Sequence, residues 1–133
     1  MQCRDVMNPS VTTCRLDAFV SDCGRLMAER DVACLPVLDY QRRLIGMLTD
    51  RDLALRVVGE HRSADTRVSS VMSTDVASCS PDESLEAVEA RMLAAKGWFA
   101  VVIDRERRVL GLVSRADLPH RETAGAAPEP CPR

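Results

Sequence analysis

Residues 46–53 read Gly46-Met47-Leu48-Thr49-Asp50-Arg51-Asp52-Leu53, an apolar run that ends on a hydroxyl and carries a carboxylate three residues later. Residues 111–118 repeat the construction, 65 positions on, as Gly111-Leu112-Val113-Ser114-Arg115-Ala116-Asp117-Leu118. A strand that ends in Thr or Ser and turns into a helix places a hydroxyl where it can accept from the free amides of the first turn. The carboxylate three residues on faces back toward it, so the spacing predicts a helix cap at both places. The same strand end offers one hydroxyl, one carboxylate and several amides, which suits the ribose and phosphate of a nucleotide.

Working outward, residues 5–53 lie over residues 70–118 without a gap, and 13 of the 49 pairs are identical. The period is longer than that of solenoid repeats, so the chain reads as two copies of one small unit that pack together, since one copy alone would bury too little surface. In the first copy residues 11–14 form a strand. Asp17 then caps a helix whose apolar positions Phe19, Val20, Cys23, Leu26 and Met27 follow helical spacing. In the second copy Asp82 caps a helix carrying Leu85, Val88 and Met92. Residues 34–38 and 44–49 form a hairpin, repeated at 99–103 and 109–114. Each unit is therefore β-α-β-β-α and the fold class α+β. Leu53, Val57 and Val58 continue the closing helix of copy one. The first motif is assigned to 5–60, a linker to 61–69, the second motif to 70–118 and a proline-broken, disordered tail to 119–133.

With 46% apolar and 29% charged residues the chain has the composition of a globular domain. A net charge of −2 with scattered arginines argues against nucleic acid as a partner. The longest apolar run, 98–103, is far short of the ~20 residues of a membrane helix, and Cys3-Arg4-Asp5 breaks any leader, so a cytoplasmic protein is expected. The six cysteines contain no Cys-x-x-Cys, and His61 and His120 share no ligand spacing with them, so neither metal nor cofactor is expected. Cys14, Cys23, Cys34 and Cys79 read as buried apolar residues, Cys3 and Cys131 as exposed ones. No Cys/His or Ser/His/Asp set points to an enzyme.

The order of these features resembles a tandem pair of CBS motifs, a Bateman module, over residues 5–118. The resemblance rests on Asp5-Val6-Met7 and Ser70-Val71-Met72 ahead of each copy, Leu35-Pro36-Val37 in the hairpin, Asp39 and Asp104 at its turn, and the doubled Gly-x-x-[Ser/Thr]-x-x-Asp. It implies two motifs about a pseudo-two-fold axis and a homodimer of such chains. The module would be non-catalytic and regulatory, binding AMP, ADP, ATP or S-adenosylmethionine between the motifs and signalling to an unknown partner protein. By that likeness one cleft joins Thr49 and Asp52, on ribose and phosphate, to Met72, Asp75, Ala77, Gly97 and Trp98. The other joins Ser114 and Asp117 to Met7, Ser10, Thr12, Val32, Ala33 and Pro36. The alternative is a ligand-free dimerisation module in which both signatures serve only as caps.

Three departures from that pattern carry expectations. Arg42 and Arg107 stand where glycine is common, which predicts positive φ at each at about 1 kcal/mol. Trp98 replaces Ala33 in copy two and reads as core rather than as a stacking platform. Pro119 directly after Leu118 predicts that the closing helix of copy two stops or kinks. Phe19, Val20, Leu26, Leu85 and Val88 offer apolar surface for a second chain, and the cleft of Asp117, walled by small residues, is expected to bind better than that of Asp52.

Overall fold

The computed structural model describes residues 1–118; the expectations for Pro119, His120, Cys131 and the 119–133 tail lie outside the described residues. The chain forms two compact units, one of residues 12–75 and one that joins residues 1–11 to the part of the chain from residue 76 onward. Each is a mixed α+β body built on one three-stranded sheet.

The first of these units contains β1 (Cys14–Arg15), α2 (Val20–Arg30), β2 (Cys34–Leu38), β3 (Leu44–Thr49) and α3 (Asp50–Asp52), with α1 (Cys3–Val6) lying in the other unit. β1 runs parallel to β2 and β2 antiparallel to β3, with Cys14 opposite Val37 and Cys34 opposite Thr49. Alternating apolar residues bury one face: Leu35, Val37 and Leu48 meet Val20, Cys23 and Met27 of α2 in one cluster, with Val57, Val68 and Val71. The hairpin bounds are those read from the sequence. Its turn is locked by Asp39, whose Oδ1 accepts from the amides of Gln41 at 2.8 Å and Arg43 at 2.9 Å, and Arg42 takes φ 67° as expected.

The second unit repeats this with β4 (Ser78–Cys79), α4 (Leu85–Ala94), β5 (Phe99–Ile103) and β6 (Val109–Ser114). Asp104 locks its turn in the same way, accepting from Glu106 at 2.9 Å and Arg108 at 2.8 Å, and Arg107 takes φ 65°. Its core gathers Cys79, Leu85, Val88, Met92, Ala100, Val102 and Val113 around Cys3 of α1.

Five expectations need correction. The strand expected at 11–14 shortens to Cys14–Arg15, because only those residues find partners on β2. Asp17 and Asp82 do not cap the helices: α2 has Phe19 at its cap position without a side-chain bond, and α4 is capped by Ser84, which accepts from Ala87 N–H at 3.2 Å. Asp82 pairs instead with Arg4, and the Asp17 carbonyl accepts from Arg67 at 2.6 Å. The closing helix of copy one widens to a π-helix over Leu53–Val58, with Gly59 N–H bonding Ala54 O at 2.8 Å. On it Val57 is buried, whereas Val58 faces outward and is 73% exposed. Cys3 is fully buried, not exposed, because α1 folds under the edge of the second unit's core. Finally, Val20, Leu85 and Val88 are already covered within the chain, Leu26 packs against the first unit's core and Phe19 lies under the Arg67 guanidinium, so they offer no surplus face; among the described residues Leu55, Val58, Leu93 and Leu110 are the exposed large aliphatics.

Candidate functional site

At the end of β3 the cap reads as a reciprocal box. Thr49 N–H donates to Asp52 Oδ2 at 2.9 Å, and Asp52 N–H donates to Thr49 Oγ1 at 3.1 Å. Asp52 is 13% exposed, with its other oxygen 4.0 Å from Arg56 Nε, while Arg56 Nη1 donates to the carbonyls of Val71 at 3.1 Å and Met72 at 3.4 Å. Sequence reasoning passed over Arg56; its signal is the i,i+4 spacing from Asp52.

At the end of β6 the arrangement is looser. Ser114 N–H donates to Asp117 Oδ2 at 3.1 Å, and Ser114 Oγ lies 3.3 Å from the same oxygen. Asp117 is exposed, on a single 3-10 turn of residues 115–117 that stops at Leu118. Leu118 is extended, at φ −79° and ψ 153°, the region that a following proline imposes on its predecessor.

The segment ahead of each copy supplies the floor. In the first unit Met47 and Ser73 exchange backbone hydrogen bonds at 2.9 Å each, and the Met72 side chain lies on Gly46. In the second, Asn8 and Leu112 exchange bonds at 2.9 and 3.0 Å and Met7 lies on Gly111, while Ser10 N–H donates to Asn8 Oδ1 at 3.0 Å. A Cβ on either glycine would stand 2.7 Å from methionine sulfur and 3.0 Å (Gly46) or 3.2 Å (Gly111) from a backbone carbonyl, so glycine suits this close approach.

The strand ahead of each signature supplies a wall. Asp50 N–H donates to Ala33 O at 3.0 Å beside Val32, and Pro36 lies opposite Met47. The equivalent bond runs from Arg115 N–H to Trp98 O at 3.0 Å, and Val101 N–H donates to Ala77 O at 2.9 Å. Trp98 is half-buried, not core, and the Arg115 guanidinium lies 4.8 Å from its ring centroid. Its ring is covered by a cation, which corrects the expectation that it fills the interior.

Thr49, Asp52, Met72, Asp75, Thr12, Val32, Ala33 and Pro36 thus belong to one unit, and Ser114, Asp117, Met7, Ser10, Ala77, Gly97 and Trp98 to the other. Grooves of about 660 and 450 Å³ lie against the β1 and β4 ends of the two sheets, lined by Asp17, Asp39 and Tyr40 in one and Asp82 and Asp104 in the other. They contain none of the signature residues. Among the described residues no group of three His, Cys, Asp or Glu is placed to hold a metal, and no helix is long and apolar enough to cross a membrane.

The family model of the CBS domain matches residues 3–59 and again 68–120. The chain belongs to the CBS domain family. It is similar to the CBS domain-containing protein YhcV of Bacillus subtilis, 34% identical over 128 residues that cover 93% of this chain and 90% of the relative. Hypoxic response protein 1 of Mycobacterium tuberculosis is 28% identical over 120 residues, covering 86% of this chain and 80% of its own. Among solved structures, the CBS domain pair of protein MJ0100, in complex with 5′-methylthioadenosine and S-adenosyl-L-methionine, overlays with a TM-score of 0.80. It is 20% identical over 88% of this chain and 91% of that one, a likeness of fold. The chain is also 25% identical to the homoserine O-acetyltransferase of Methanohalobium evestigatum, over 86% of this chain but only 22% of that relative.

Proposed function

We propose that this CBS pair is a non-catalytic regulatory module that binds an adenosine-type ligand between its motifs and signals to a partner protein. AMP, ADP, ATP and S-adenosylmethionine are the candidates, and the working form is a homodimer in the cytoplasm. The observation that carries the reading is the doubled signature turn, in which a capping carboxylate and a bare glycine floored by methionine stand at the end of each hairpin. An aspartate oriented by a backbone amide is a fixed acceptor pair for the two hydroxyls of a ribose. The ligands of the MJ0100 pair name the first compounds to try.

The test is a thermal-shift screen with AMP, ATP, NAD and S-adenosylmethionine. A ligand at a hundredfold excess over its dissociation constant adds about 2.7 kcal/mol of stability. Trp98 gives a second readout as the chain's one tryptophan. A chain that responds to none of these compounds by either readout would refute ligand sensing.

A second reading, a ligand-free dimerisation module, draws support from two facts. Both signature aspartates already bond their own turns, and Leu55 and Val58 stand 54% and 73% exposed on one π-helix. Light scattering at micromolar concentration tests the dimer common to both readings, and a monomer mass would sink it.

A further inference from the structure

Cys3 and Cys79 lie 76 positions apart in sequence, yet their sulfurs meet at 3.5 Å inside the core of the second unit. Cys3 is on α1, a four-residue helix, and Cys79 on β4. Neither is exposed beyond 4%. Nothing in the ligand-binding reading uses this pair, and the repeat alone does not account for it. Cys79 stands at the position of Cys14, but Cys14 has Cys23 of α2 as its neighbour, where the second copy has Val88. The partner thiol in the second unit comes instead from the segment ahead of the first copy.

From this juxtaposition we infer that Cys3 and Cys79 form a dithiol–disulfide site that fastens α1 to β4 under oxidation. The sulfurs need to close by roughly 1.5 Å to reach the ~2.05 Å of a disulfide bond. α1 can supply that movement, since so short a helix has little stability of its own and is held by a few bonds, Cys3 N–H to Glu83 O at 3.0 Å and Arg4 N–H to Pro81 O at 3.1 Å among them. The oxidant is a low-molecular-weight disulfide. With α1 lifted, the Cys3 thiol loses its proton to water and attacks that disulfide, forming a mixed disulfide and releasing one small thiol. When α1 returns, Cys79 loses its proton and attacks the Cys3 sulfur. The S–S bond forms, the second small thiol leaves, and two electrons have passed to the oxidant. Burial pushes both protein thiols up from their ordinary value, so the closed form is slow to react and opening of α1 gates the exchange.

The experiment treats the reduced full chain with oxidised glutathione and maps it by peptide mass spectrometry without reduction. The expected product joins the peptides of Cys3 and Cys79, lacks two hydrogens and carries no glutathione on either residue. Its unfolding midpoint should rise on the order of 10 °C and fall back with dithiothreitol, because the link closes a long loop. Cys79→Ser should instead retain glutathione on Cys3. The proposal is overturned if both thiols stay free when other cysteines have reacted, if Cys3 of the unaltered chain keeps its glutathione, if Cys3 is found joined to another cysteine, or if the linked chain melts no higher than the reduced one.

Discussion

Met72 lies on Gly46 so closely that a Cβ at that glycine would stand 2.7 Å from the methionine Sδ and 3.0 Å from the carbonyl oxygen of Ser73. Met7 covers Gly111 in the same way. In each unit the glycine sits in the last strand, and the methionine comes from a segment that also pairs with that strand through the backbone.

Gly46→Ala is therefore expected to lower stability by about 1–3 kcal/mol, the range for overfilling a packed site. Met72 can bend away but the Ser73 carbonyl is backbone. Combining Gly46→Ala with Met72→Ala should recover part of the loss and not all of it. Urea denaturation of the two single variants and the double variant checks this.

The two caps should respond differently to loss of the hydroxyl. Thr49→Ala removes an acceptor for the Asp52 amide and should cost about 1 kcal/mol. Ser114→Ala removes a hydroxyl that faces a carboxylate rather than an amide, and should cost less. Equal losses in chemical denaturation would show that the caps are equivalent.

Glu83 gives a pH signature. Arg91 grips it through two parallel bonds of 2.9 and 2.7 Å, and this guanidinium is the main cause that holds the carboxyl at about 2, against an ordinary value of 4.5. The folded state thus favours the ionised form. Its contribution is complete above pH 4.5 and is lost as pH falls toward about 2. The stability difference between the unaltered chain and Glu83→Gln should shrink across that window, which a series of urea midpoints would follow.

For ligand binding, Asp117→Ala should weaken affinity more than Asp52→Ala, by about tenfold or more, the worth of a hydrogen bond to a charged group. Asp117 is exposed, whereas Asp52 is mostly covered and has Arg56 beside it. Asp52→Ala should accordingly show more in stability than in affinity. Calorimetric titration with whichever nucleotide the screen finds decides the order, and a larger affinity loss for Asp52→Ala would reverse it.

The sequence by itself determined what short-range chemistry controls. Both hairpins begin and end where their apolar runs begin and end, Arg42 and Arg107 take positive φ, and Thr49 caps its helix through Asp52. Each of these depends on residues within a few positions of one another, and the doubling of the pattern identified the family. Tertiary structure alone decided the rest. The family resemblance, not any local signal, groups Met7 with Ser114 and Asp117 of the second copy, and neither tells that Met7 lies on Gly111 or that Cys3 is drawn into the core beside Cys79. A repeat shows which residues are equivalent, but not which copy a connecting segment joins. That choice follows from the apolar surface the segment can bury at long range, and the π-helical winding of residues 53–58 is likewise not written in the local apolar spacing.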